Sequence, residues 1–124
     1  MDKEIELKLH KLVDEKRKIP KPETDNEFRI LRVGRRRNQT AIIYSIPSHT
    51  NEKSYYEKGI TYSEFSRVLD ELSTSGYVTR SWFNNNLSEC AKEGSCNFTS
   101  LCGILELLGY YKYSEKGKYE AVRI

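Results

Sequence analysis

A chain of 124 residues, 37% hydrophobic and 31% charged, fits one compact domain with a shallow core. No run approaches the ~20 apolar residues needed to span a bilayer. The charged N-terminus lacks the apolar stretch of a secretory signal, so a cytoplasmic protein is expected. The net charge of +3 is uneven: residues 1–37 carry 12 Lys and Arg against 8 Asp and Glu, and the rest carry 9 against 10. The positive field therefore belongs to the first third of the chain.

Residues 2–18 have helical spacing, with Ile5, Leu9, Leu12 and Val13 as a narrow apolar stripe. Pro20 and Pro22 stop this helix, and a polar connector runs to Asn26. The stripe either packs on the rest of the chain or mediates a dimer. The expected division is a helix and linker over residues 1–26 and a single domain over residues 27–124.

Residues 28–33 and 40–46 are rich in β-branched and aromatic side chains and read as a β-hairpin. Its tip carries Arg35, Arg36, Arg37 and Asn38. Three arginines at a loop tip suit phosphate contact. The competing reading is a solvated turn. Residues 47–59 read as a surface loop in which Tyr55 and Tyr56 either cover the core edge or stack on bases.

The second half reads as three short helices and a hairpin. Thr61 or Ser63 caps the first helix, Phe65, Val68, Leu69 and Leu72 form its inner face, and Ser75-Gly76 ends it. Thr79 caps a second helix over residues 80–92, in which the run Asn84-Asn85-Asn86 has poor helix propensity and invites a break. Asn97 caps a third over residues 98–108, with Phe98, Leu101, Cys102, Leu105 and Leu108 inward and Gly109 at its end. Gly103 inside this helix costs ~1 kcal/mol relative to Ala, which points to a close approach by another backbone. Residues 110–114 and 118–123 form the closing hairpin around the turn at 115–117.

The chemistry-bearing residues are sparse. Cys90, Cys96 and Cys102 are odd in number and lie far from His10 and His49, so zinc-finger spacing is missing and reduced thiols are expected. The carboxylates spread along helix faces, and neither histidine has an evident orienting partner. No catalytic residue, metal or cofactor is expected.

The order of elements from Thr61 to Ile124 resembles the winged helix-turn-helix superfamily. The resemblance implies an α+β fold: a winged helix-turn-helix-like three-helix core with a C-terminal β-hairpin, preceded here by an N-terminal helix and a β-hairpin. It further implies a third helix in the major groove, offering Asn97, Thr99, Ser100 and Gly103, and a wing touching phosphate through Lys112, Lys116 and Lys118. This third helix carries no Arg or Lys, so Arg80 and Asn84 on the second helix join the candidates. Residues 96–113 are also similar to small proteins of bacterial mobile gene cassettes. The resulting expectation is a small bacterial accessory or regulatory protein that binds double-stranded DNA through the basic tip and wing. The alternative is a protein-interaction module, homodimeric through the N-terminal helix, that binds no DNA.

Overall fold

The computed structural model describes residues 1–22, 24, 26–47 and 55–122. The order is α1 (Lys3–Asp14), β1 (Arg29–Arg36), β2 (Gln39–Pro47), β3 (Tyr55–Thr61), α2 (Tyr62–Ser75), β4 (Tyr77–Thr79), α3 (Arg80–Asn86), α4 (Ser88–Glu93), α5 (Asn97–Leu107), β5 (Tyr111–Glu115) and β6 (Lys118–Ala121). Two antiparallel three-stranded sheets result, ordered β1-β2-β3 and β4-β6-β5. The fold is α+β, as expected.

Asp2 caps α1 by accepting from the Glu4 amide at 2.7 Å. The helix stops at Asp14, four residues before the expected end. Lys16 adopts φ +50, and the Arg17 amide reaches back to the Leu12 carbonyl at 3.2 Å, which closes the helix with a left-handed residue. Prolines 20 and 22 thus follow a stop already made. Leu9 and Leu12 are buried in the same core as the rest of the chain, so the apolar stripe packs in cis. The His10 Nε2 and Tyr62 Oη atoms lie 2.6 Å apart and tie α1 to α2.

Residues 34–39 do not form an open tip. Arg37 and Asn38 take φ values of +50 and +62, the two left-handed positions of a tight hairpin turn. Arg35 and Arg36 therefore belong to a strand. Part of the expected surface loop is also strand: β3 pairs with β2 from Pro47↔Tyr55 to Ala41↔Thr61. Ser48 and His49 lie outside the described residues.

Thr61 and Glu64 form a capping box at the start of α2, and Gly76 closes its end. The expected single helix over 80–92 is two, with the break at Leu87 directly after the three asparagines. One cluster of buried side chains joins the two halves. Leu9, Ile19, Ile30, Tyr44 and Ile60 meet Phe65, Phe98, Leu101, Leu105 and Tyr111 within it.

Gly103 explains how the N-terminal segment docks. A Cβ built there would lie 2.6 Å from the Pro20 carbonyl oxygen and 2.8 Å from the Ile19 side chain. The strap at 19–21 therefore rests directly on α5. Gly103→Ala should cost about 1–3 kcal/mol by overpacking this contact. Urea unfolding measures that loss, and trypsin should then cut faster after Lys18. Unchanged stability and cleavage would contradict the docking.

Candidate nucleic-acid interface

Arg37 is the expected phosphate contact that the structure withdraws. Its side chain is only 9% exposed and turns inward. Nε and a terminal nitrogen donate to both Glu64 carboxylate oxygens at 2.8 and 2.6 Å, and the Gly59 carbonyl accepts at 2.8 Å. Glu93 pairs with the other terminal nitrogen. The guanidinium is committed to binding the hairpin to α2 and α4. Asn38 stays exposed at the turn, and its carbonyl accepts from Arg35 at 2.7 Å.

The third-helix candidates are withdrawn for a different reason. Asn97 is fully buried, accepting from the Tyr44 hydroxyl at 2.5 Å and donating to the Cys90 carbonyl at 2.8 Å. It lies inside α5 and does not cap it. Ser100 is fully buried and Thr99 half-buried, and both hydroxyls accept from Lys21 Nζ, at 2.7 and 2.8 Å. The strap occupies the face through which this helix was expected to meet DNA.

The remaining candidates divide into two groups. Arg80 is half-buried, donates to the Ser95 carbonyl at 2.9 Å and stacks 5.0 Å from the Phe98 ring. Asn84 is exposed on the helix begun by Arg80. In the closing hairpin, Lys112 and Lys116 are exposed, whereas Lys118 pairs with Glu120 at 3.6 Å and sits 4.9 Å over Tyr77.

The larger basic surface lies on β1. Its register slips at a bulge between Ile30 and Arg32. Arg29 then pairs with Ser45, Arg32 with Ile43 and Arg36 with Gln39, so all three arginines share one face. That face is opposite Ile30, Ile42 and Tyr44, which enter the core. Ile43 is fully buried although it points outward, where it fills the space over Gly34 and Gly59 beside the Arg36 stem. Arg36 reaches across to Gly59, where a Cβ would meet its chain at 2.6 Å.

Residues 16–19 run beside the start of β1 and enlarge this surface. Lys18 bridges to Arg29, the Ile30 amide donates to the Arg17 carbonyl at 2.9 Å, and Lys16 Nζ donates to the Leu31 carbonyl at 2.5 Å. Glu15, Glu27 and Glu57 pair with Arg17, Arg29 and Arg32. The Arg32 hydrogen bonds hold the Glu57 carboxyl below the usual carboxylate range, helped by Arg36 nearby. Lys16, Lys18, Arg35 and Arg36 have no carboxylate partner among the described residues. Lys16, Lys18, Arg29 and Arg32 are missing from the residues expected from sequence, and the bulge that aligns the two arginines leaves no composition signal.

The cysteines are free thiols. Burial pushes the Cys90 and Cys102 thiols up, away from the thiolate that nucleophilic chemistry requires. Among the described residues, no group of three or more His, Cys, Asp and Glu side chains is placed to hold a metal, and no helix is long and apolar enough to cross a membrane. No protein family, curated protein or solved structure matches the chain.

Proposed function

We propose that this protein binds the phosphate backbone of double-stranded DNA through the arginine-covered face and edge of its first sheet, without catalysing a reaction. The observation that carries this reading is the alignment of Arg29, Arg32 and Arg36 by the β1 bulge, extended along the sheet edge by Lys16 and Lys18. Eight residues of strand give this row a length of about 26 Å, enough to follow several phosphates. Backbone contact positions a protein on a duplex without reading its sequence.

The second half supports a winged-helix reading by connectivity. Helix, strand, helices, helix and hairpin follow in that order, with β6 between β4 and β5. In this reading the groove-entering helix is covered by the strap, and DNA contact has moved to the added hairpin. A small accessory or regulatory role fits sequence-independent binding of this kind. The wing lysines, Lys112 and Lys116 foremost, supply secondary phosphate contacts.

Fluorescence anisotropy of a labelled duplex, titrated from low to physiological salt, tests the reading. Each phosphate neutralised contributes about −0.9 to the slope of log affinity against log salt. Replacing Lys18 and Arg36 together with Gln should flatten that slope by about 2 units while leaving the fold intact. Absence of binding at low salt, or a slope unchanged by the double variant, would overturn it. The covered α5 and the exposed Tyr56, Tyr77 and Tyr113 favour the alternative, a protein-interaction module, in that event.

A further inference from the structure

Two cations meet at a cavity that no carboxylate lines among the described residues. The cavity holds about 250 Å³ between the N-terminal strap and the start of α5. Lys21, Thr24, Phe28, Arg80, Ser95 and Thr99 line it. Lys21 Nζ lies 4.1 Å above the Phe28 ring and donates to the Thr99 and Ser100 hydroxyls and, more weakly at 3.3 Å, to the Cys96 carbonyl. Every one of these partners is neutral. Arg80 spends one donor on the Ser95 carbonyl, which leaves four of the five N–H groups of its fork uncommitted. The Phe98 ring beneath it holds the guanidinium in place.

Like charges in a half-buried site repel and lose hydration. Burial pushes the Lys21 ammonium down to about 8, and Arg80 adds to that push. The arrangement is therefore costly in the absence of an anion and favourable in its presence. Among the described residues, neither Lys21 nor Arg80 forms an ion pair with a carboxylate.

We propose that this cavity is a binding site for a phosphate monoester dianion. The Arg80 fork takes two of its oxygens, the pairing for which guanidinium geometry is suited. Lys21 exchanges its long bond to the Cys96 carbonyl for a third oxygen, and the Ser95 and Thr24 hydroxyls border the remainder. The volume is several times the ~30 Å³ share of one water, which admits the phosphate, and the site opens to solvent, so the rest of a larger ligand can extend outward. This site stands apart from the sheet face proposed above and does not depend on it.

The test is an NMR titration of the full chain with inorganic phosphate at constant ionic strength, following backbone amides. Saturable shifts at Ser95 and Thr99, weakened at least tenfold in Arg80→Gln and in Lys21→Gln, are the expected result. No saturable shift in the wild-type protein, or equal shifts in both variants, would overturn the proposal. A 5′-phosphorylated dinucleotide and its 5′-hydroxyl counterpart then identify the source of the phosphate. Tighter binding of the phosphorylated form than of inorganic phosphate assigns the site to a nucleic-acid end. Equal binding assigns it to a free phosphate. A duplex without terminal phosphates reads the sheet face and the wing lysines but not the cavity, so Arg80→Gln should leave its affinity unchanged.

Discussion

Replacing Arg37 with Met should lower the free energy of unfolding by about 3–5 kcal/mol, the scale for stripping one partner from a buried ion pair. The loss has a specific origin. Glu64 keeps 9% of its side-chain surface and would be left with a buried negative charge, and the Gly59 carbonyl would lose its donor. Glu64→Gln should cost less, because an amide can still accept from the guanidinium and from the Thr61 amide that Glu64 now caps at 2.8 Å. Replacing Arg37 and Glu64 together with apolar residues should recover part of the loss, since no buried charge then remains unpaired. Chemical denaturation of the four proteins measures all three terms. A loss under about 1 kcal/mol for Arg37→Met is the value of an exposed pair and would contradict the buried network. The result also bears on DNA binding. Changing Arg35, Arg36 and Arg37 together would mix lost phosphate contact with unfolding, which is why the binding test spares Arg37.

What was legible in the sequence depended on separation along the chain. Thr61 was one of two caps readable for α2, and the Glu64 partner that completes its box stands three residues on, inside one turn of helix. The inward stripe of α5 was likewise readable from period alone, and Phe98, Leu101, Cys102 and Leu105 are all buried. Gly103 announced a close approach but not its partner, because Pro20 lies 83 residues earlier in the chain. The same distance hid the covering of Ser100 and Thr99. An amphipathic pattern states which face of a helix meets the core, and it is silent on whether a later layer covers the opposite face.

Arg37 failed as a surface residue for a related reason. A run of three arginines reads as one basic tip, yet a tight turn rotates each side chain to a different direction. Arg36 crosses the outer sheet face, Arg35 folds back on the Asn38 carbonyl, and Arg37 enters the interior. Its partners Glu64 and Glu93 stand 27 and 56 residues downstream. The β1 arginines were missed by the opposite error. Strict alternation places Arg29 and Arg32 on different faces, and one bulged residue brings them together.

The stability of Lys21→Met relative to the wild type should fall by about 2–3 kcal/mol between pH 7 and pH 10.5. The sign follows from the depressed Lys21 value of about 8 against the ordinary 10.5. Between those two values the unfolded chain holds a proton that the folded chain has released. Stability contributed by this group therefore rises with pH through the window and is lowest below about 8, where a charged ammonium must be kept half-buried. Other groups pull the opposite way. Burial pushes Cys90, Cys102, Tyr44, Tyr111 and Tyr119 up, so each is deprotonated first in the unfolded chain and weakens the fold as pH rises. Cys90, Tyr44, Tyr111 and Tyr119 are common to both proteins and cancel in the difference, and Lys21 is the smallest of the influences on Cys102. Lost packing and hydroxyl contacts displace the whole curve, so the slope alone reports the charge. Urea midpoints followed by circular dichroism from pH 7 to 10.5 supply it, and a difference constant across the window would show that Lys21 is solvated like a surface lysine. Saturating phosphate adds a second reading from the same measurement. An anion beside Lys21 favours the ammonium, so phosphate should flatten the wild-type curve relative to the variant. That outcome would join the pH dependence of the fold to the occupancy of the cavity.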